Sequence, residues 1–334
     1  MRSLRAHVKT NRLLRAAVFE AQNAYYASPF AGEVRRGPDR AGSPVEHFLS
    51  AMIRVKDEAR FLPEWLAHHL NVGVGHVYVY DNNSSDDIER VIAPFIERRL
   101  VTCVPWPTVP ASPSSNNHFL TEFGPSSEWV AFFDADEFLV ENTPGALLDA
   151  LRAAGRVPAI AVNWRYYGSS GHEVVPPGLV TATLTRADAT LNKHVKVVAR
   201  PAMVRRYRNS HNSYYRRGRV ARTPGGRRVH GSFVTPDRPA QLVLNHYIYR
   251  SREDYERKSS HGFVDAAGAA DQARRRSLAD AEFDRHNDVE ITLPEATLRA
   301  TADLLRELGY PEQLYDAAGA PGGRPDITGR RLMG

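Results

Sequence analysis

The chain has 334 residues, 42% hydrophobic and 25% charged, with a net charge of +6, a balance that suits a globular protein and excludes a fibre, a collagen-like repeat or a low-complexity tail. Its one cysteine, Cys103, excludes an intramolecular disulfide and a cysteine-built zinc cluster, and fits a reducing, cytoplasmic setting. No run reaches the roughly 18 to 20 apolar residues that cross a bilayer, and no apolar stretch follows the basic N-terminus, so no secretory leader is expected.

Residues 4–26 read as an amphipathic helix with Leu13, Leu14, Val18 and Phe19 on one face, either packed on the main domain or lying on a membrane surface. Residues 28–44, rich in Gly, Pro and Arg, read as a linker. Residues 1–45 therefore form an N-terminal helix and linker. A buried strand is expected over 48–55 and a helix over 57–70, the latter with Phe61, Leu62, Trp65, Leu66, His69 and Leu70 at helical spacing. A strand over 76–80 runs into the polar loop 81–86. A helix follows with Ile88, Val91, Ile92, Phe95 and Ile96 on its apolar side, then strands over 100–104 and 128–133. Strands alternating with helices predict right-handed βαβ units on a parallel sheet, whose carboxyl edge is where ligands bind. Both polar clusters, 81–86 and 134–136, fall on that edge.

Beyond residue 150 the pattern loosens. Strands are expected over 159–164, 179–184, 194–199 and 241–249, and helices over 251–258, 281–285 and 294–308, with a loose tail from 317. Residues 46–290 make one catalytic domain, and 291–334 a C-terminal helix and tail. Gly73-Val74-Gly75 precedes a strand and lacks a third glycine at the right offset, so it is not a dinucleotide fingerprint. No phosphate-binding lysine loop and no Gly-x-Ser-x-Gly elbow occurs.

Asp134-Ala135-Asp136 follows the apolar run 129–133. Carboxylates at i and i+2 on extended backbone share a side, and a divalent cation relieves their repulsion. Hard oxygen donors with open coordination positions suit Mg²⁺ or Mn²⁺ shared with substrate phosphates.

Several ordered segments, Arg54–Trp65, Val77–Asp86 and Phe132–Phe138 first, then Trp164–His172, His194-Val195-Lys196 with Arg200-Pro201, and Asn245-His246-Tyr247, resemble the family 2-like glycosyltransferases related to family 92. The resemblance spans roughly 48–290. It implies an α/β fold of the GT-A kind, a Rossmann-like nucleotide-binding half and an acceptor-binding half sharing one mixed sheet. It implies transfer of a sugar from a nucleotide sugar, with a UDP-sugar favoured, to a saccharide or glycolipid hydroxyl with inversion. Arg54, Asp57, Glu58, Asp81, Asn82, Asn83, Ser85, Asp134 and Lys196 would then bind the donor. Asp81 and its neighbours would face the nucleoside and Asp134 the ribose. Asp136 would hold the metal, with His246 as a further ligand; a buried histidine bonded to backbone is the alternative for His246. An imidazole ligand suits Mn²⁺ somewhat better than Mg²⁺. The acceptor hydroxyl needs a base, and His172 or Glu173, on the loop after a strand, is expected to supply it. Trp164, Tyr166, Ser169 and Ser170 suit a sugar acceptor by stacking and hydroxyl bonds, or else belong to the core.

From Lys193 to Arg228 there are twelve Lys/Arg and no Asp or Glu, so the rest of the chain carries about −6. Lys193, Lys196 and Arg200 are expected to hold diphosphate oxygens, and the later arginines to meet an anionic acceptor or a membrane surface. Tyr207, Tyr214 and Tyr215 interleave with them, as a single-stranded nucleic-acid binder would require. No nucleic-acid-binding motif accompanies them, and no nucleic-acid partner is expected. A nucleotidyltransferase would share the metal site.

Overall fold

The computed structural model describes residues 44–107, 114–260 and 285–315, and singly Ala273, Ser277 and Phe283. The expected N-terminal helix, nearly all of the linker, most of 281–285 and the tail from 317 lie outside the described residues.

The first half comprises β1 (His47–Val55), α1 (Leu62–Asn71), β2 (His76–Asp81), α2 (Ile88–Glu97), β3 (Val101–Pro105), α3 (Ser114–Glu122), β4 (Ser127–Phe132), β5 (Glu137–Glu141) and α4 (Ala146–Ala153). Then come β6 (Ala159–Tyr166), α5 (Val180–Thr183), β7 (Arg186–Ala187), β8 (Val195–Ala199), β9 (Val204–Asn209), β10 (Asn212–Tyr215), β11 (Ala221–Arg222) and β12 (Arg228–Val229). The last are β13 (Leu242–His246), α6 (Arg252–Ser260), β14 (Val289–Glu290) and α7 (Glu295–Glu307).

The central sheet runs β12-β11-β6-β8-β4-β1-β2-β3, with β13 joined to β6 and β5 to β13. β1, β2, β3 and β4 are mutually parallel, as the alternating pattern predicts. β8 is antiparallel to both neighbours, so β6 again points the same way as β4. One continuous mixed sheet results, the arrangement expected of a GT-A chain. Its strands alternate faces with period two. Leu49, Ala51, Ile53, Trp129, Ala131, Val77 and Val79 face the layer of α1, while Met52, Val130, Phe132, Tyr78 and Tyr80 face the layer of α3.

Residues 179–184 form a helical turn where a strand is expected. The buried Glu64 of α1 is the reason: its carboxylate accepts from Val180 N (2.6 Å), Thr181 N (2.9 Å) and Thr181 Oγ1 (2.7 Å). Those amide bonds satisfy donors that the first turn of a helix leaves open, against the β preference of Val and Thr. α7 is not separate from the main domain either. Ala302 and Leu305 are buried in the same core as Trp65 and Leu66 of α1, so the division at 291 falls inside one packed body.

Candidate active site

Register builds the site. Parallel pairing sets Val55 beside Asp81 and Met52 beside Phe132, so the loops after β1, β2 and β4 open on one edge. The first two loops brace each other. Asp57 Oδ1 accepts from Ser85 N (2.6 Å) and Ser85 Oγ (2.9 Å), Asp81 Oδ1 from Ser84 N (3.0 Å), and Asp86 Oδ2 from Ala59 N (2.8 Å). Asp57 and Asn83 hold φ of 55° and 56°, a left-handed conformation that Asp and Asn tolerate better than most residues. Asn82 Nδ2 donates to Trp106 O (2.6 Å), Asn83 Nδ2 to Pro107 O (3.4 Å), and Arg54 Nη1 to Asn116 Oδ1 (2.7 Å). The polar residues of these two loops are thus gathered on one edge of the sheet, with most of their side chains shaping the loops.

The turn 134–136 is fixed from beneath by α1. The buried Trp65 indole donates to Asp134 O (3.0 Å) and Glu137 O (2.8 Å). Within the turn the two aspartates have different partners. Asp134 Oδ2 lies 2.5 Å from Lys196 Nζ, whose other contact is Glu137 Oε2 at 3.4 Å. Burial opposes the Asp134 charge, but Lys196 and Arg54 overcome it and hold the carboxyl below its ordinary range. The Asp134 side chain is still 43% exposed, so its carboxylate remains open to solvent. For Glu137 burial wins, and its carboxyl is pushed well above the usual value.

Asp136 meets the far part of the chain. β13 pairs antiparallel with β5, setting His246 opposite Glu137, and Tyr247 N donates to Asp136 O (2.8 Å). His246 Nε2 then stands 3.4 Å from Asp136 Oδ1. His246 Nδ1 is buried and has no hydrogen-bond partner among the described residues, so the backbone-bonded alternative does not describe this residue there. α6 adds cations. Lys258 Nζ lies 3.3 Å from Asp136 Oδ2 and 3.6 Å from Glu58 Oε1, while the fully buried Arg250 joins Glu58 Oε2 (2.8 Å) to Ala135 O (3.1 Å). Arg257 Nη1 donates to Asp57 O (2.9 Å). Burial works against the Asp136 charge, yet Lys258, His246 and Arg250 outweigh it and hold the carboxyl well below the carboxylate range. No motif flags Arg250 or Lys258 as neighbours of Asp136, because Lys258 follows Asp136 by 122 residues and Arg250 follows Ala135 by 115.

Asp136 and His246 offer one oxygen and one nitrogen 3.4 Å apart, close enough for one ion to take both. Among the described residues no group of three or more His, Cys, Asp and Glu side chains is arranged to hold a metal ion. Two protein donors with the remaining positions open fit an ion shared with phosphate and water.

Other expected residues lie elsewhere. Lys196 is 1% exposed and spent on Asp134 and Glu137, so it does not hold diphosphate oxygens. Arg200 pairs with Glu128 (2.5 Å) and stacks on Trp129 at 4.1 Å, at the amino end of β4. An antiparallel β8 carries the chain from one sheet edge to the other between these two residues. Tyr207, Tyr214 and Tyr215 are buried, which removes the stacking platform of a nucleic-acid binder. Trp164 is buried against His246 (4.5 Å), and Ser169 is buried too. The loop with His172 and Glu173 is tied to α6 by main chain, Arg252 N to His172 O (3.2 Å) and Glu253 N to Glu173 O (3.0 Å).

Residues 50–258 match the profile of glycosyltransferase family 92. A family 92 protein of Ricinus communis is 30% identical over 224 residues, 66% of this chain and 38% of that protein. One of Oryza sativa subsp. japonica is 32% identical over 163 residues, 47% of this chain and 28% of that protein. The chain thus spans less than half the length of these relatives. Among solved structures, S. aureus TarS 1–349 in complex with UDP-GlcNAc is 13% identical with a TM-score of 0.36, covering 79% of this chain and 73% of that one. Glucosyl-3-phosphoglycerate synthase from Mycobacterium tuberculosis is 19% identical with a TM-score of 0.26, over 36% and 44%.

Proposed function

Because the chain belongs to glycosyltransferase family 92, we propose that it moves a sugar from a UDP-sugar to an acceptor hydroxyl, with a divalent cation at Asp136 and His246. One observation carries the reading: two strand ends distant in sequence bring an aspartate and an imidazole to 3.4 Å on the sheet's carboxyl edge, beside the cations Lys258 and Arg250. Mn²⁺ or Mg²⁺ bound there would neutralise charge growing on the departing diphosphate.

The chain's own groups do the rest. Lys258, held 3.3 Å from Asp136, is placed to share the diphosphate charge. Asp134, anchored by Lys196, offers its exposed side to the ribose. The braced loops after β1 and β2 shape the nucleoside end. Displacement by the acceptor oxygen on the face opposite the leaving group inverts the anomeric centre. The acceptor is proposed to be a saccharide or glycolipid; a peripheral membrane contact and a cytoplasmic setting belong to the same proposal. No helix of the described residues is long and apolar enough to cross a membrane.

Calorimetric titration of UDP in Mn²⁺ and in excess EDTA tests the reading. Affinity is expected to fall at least roughly tenfold without the cation, and Asp136→Asn is expected to abolish the difference while melting normally. Equal affinity in both buffers sinks the metal-bridged diphosphate.

A further inference from the structure

Outside the residues already described, one pair of side chains has the arrangement of a proton acceptor and its support. Asp188 follows β7 and donates its N–H to Tyr166 O (2.9 Å), while its Oδ1 lies 2.8 Å from His286 Nδ1. The His286 ring stacks on Tyr166 with centroids 4.6 Å apart. Tyr166 is the register partner of His246 on β13, and those two rings are 5.3 Å apart. His286 therefore stands two ring spacings from the residue facing Asp136.

We infer that His286 is the catalytic base of the transfer and that Asp188 is its positioning residue; this rests on the donor site assigned above. The hydrogen bond to Asp188 assigns the proton to Nδ1 and leaves Nε2 as a bare acceptor, and Nε2 has no protein partner among the described residues. The side chains are 16% and 23% exposed, so a hydroxyl can reach them. The backbone of His286 is held at a φ of 69°, a left-handed conformation that costs a residue with a β-carbon and persists where neighbours impose it. The neighbours are identifiable. Gly168 N donates to His286 O (2.9 Å), Ser170 N to Asn287 Oδ1 (3.0 Å) and Arg186 Nη2 to Asn287 O (2.7 Å). By contrast, the side chains of His172 and Glu173 make no hydrogen bond or ion pair among the described residues, and Glu173 is exposed. Among the described residues no side-chain partner orients either one.

In the step itself the acceptor O–H proton passes to His286 Nε2 as the oxygen lone pair forms the bond to the anomeric carbon. The bond from that carbon to the diphosphate oxygen breaks, and its electron pair leaves on UDP. The imidazolium, stabilised by Asp188, then releases the proton to solvent. Asp188 holds the imidazole and takes no proton from it in this step.

Water serves as the acceptor in the test. The full chain is incubated with Mn²⁺ and UDP-glucose, UDP-galactose or UDP-N-acetylglucosamine, and free UDP is followed. His286→Gln is expected to lower release from the best donor by about a hundredfold, the size of a general-base contribution, with UDP affinity within about twofold of wild type. Asp188→Asn is expected to lose much of the rate and Asp188→Glu to recover part of it. Added imidazole is expected to restore release by His286→Ala, which a merely structural histidine would not allow. His172→Ala and Glu173→Gln are expected to stay within about threefold of wild type. Undiminished release by His286→Gln with intact UDP binding overturns the assignment alone. Loss of UDP affinity in both the His286 and Asp188 variants overturns it in favour of a loop clamp. A wild-type protein whose UDP affinity ignores the cation overturns the donor-site reading and this assignment with it.

Discussion

Lys196 is 1% exposed, yet its ammonium reaches Asp134 at 2.5 Å and Glu137 at 3.4 Å. Burial alone would favour neutral lysine; the two carboxylates reverse this and raise its pKa above the ordinary lysine value. The consequence is structural. Lys196→Met keeps the volume and removes the charge, so two acidic groups face each other without relief. Urea denaturation is expected to show a loss of about 3 kcal/mol, the low end for breaking a buried pair. The low end applies because Glu137 can take up a proton and Asp134 reaches solvent. A change below about 0.5 kcal/mol would mean that the ammonium does not hold this turn. The sequence places Lys196 in a basic run, and only its strand position shows that it serves an acidic cluster.

At the scale of elements, the short segments decide the site. β13 is five residues long and brings His246 to Asp136 through pairing with β5 and β6. β7 and β14 pair with each other and carry Asp188 and His286 into one place. The loop after β6 must approach that pair closely. A β-carbon on Gly168 would stand 2.5 Å from Asn287 Nδ2 and Oδ1, which explains the glycine in Tyr-Tyr-Gly-Ser-Ser-Gly. Gly168→Ala is therefore expected to push residues 286–288 away and lower UDP-sugar turnover roughly tenfold to a hundredfold, as small misplacements of catalytic groups do. UDP affinity, read by calorimetry, should hold within about twofold. Equal loss of both would place the glycine's role at the donor instead.

Across the whole molecule, the basic run from 193 to 228 is not one surface. Lys196 and Arg205 are buried, Arg200 pairs with Glu128, and Arg227 lies 3.3 Å from Asp237. Arg219 donates to Arg156 O just before β6, and Arg222 pairs with Ile160 near the start of β6. These arginines occupy the edge opposite Asp136. Replacing Arg216, Arg217 and Arg219 by Glu is accordingly expected to leave cation-dependent UDP affinity within about twofold; a tenfold loss in a folded variant would place this edge at the donor site. The parallel half of the sheet, the polar loops at its carboxyl edge and the Asp-x-Asp turn were all legible in the sequence. Each depends on hydrophobic periodicity over a few consecutive residues, which a chain carries locally. The pairing of Asp136 with His246 was reachable only through family resemblance. The helical turn at 180–183, the capture of Lys196 by Asp134 and Glu137, the α6 cations around Glu58 and the Asp188–His286 pair were decided by tertiary structure. They rest on strand order, on an antiparallel β8 that carries the chain across the sheet, and on burial that makes a charge seek its partner, and none of these is a property of neighbours along the chain.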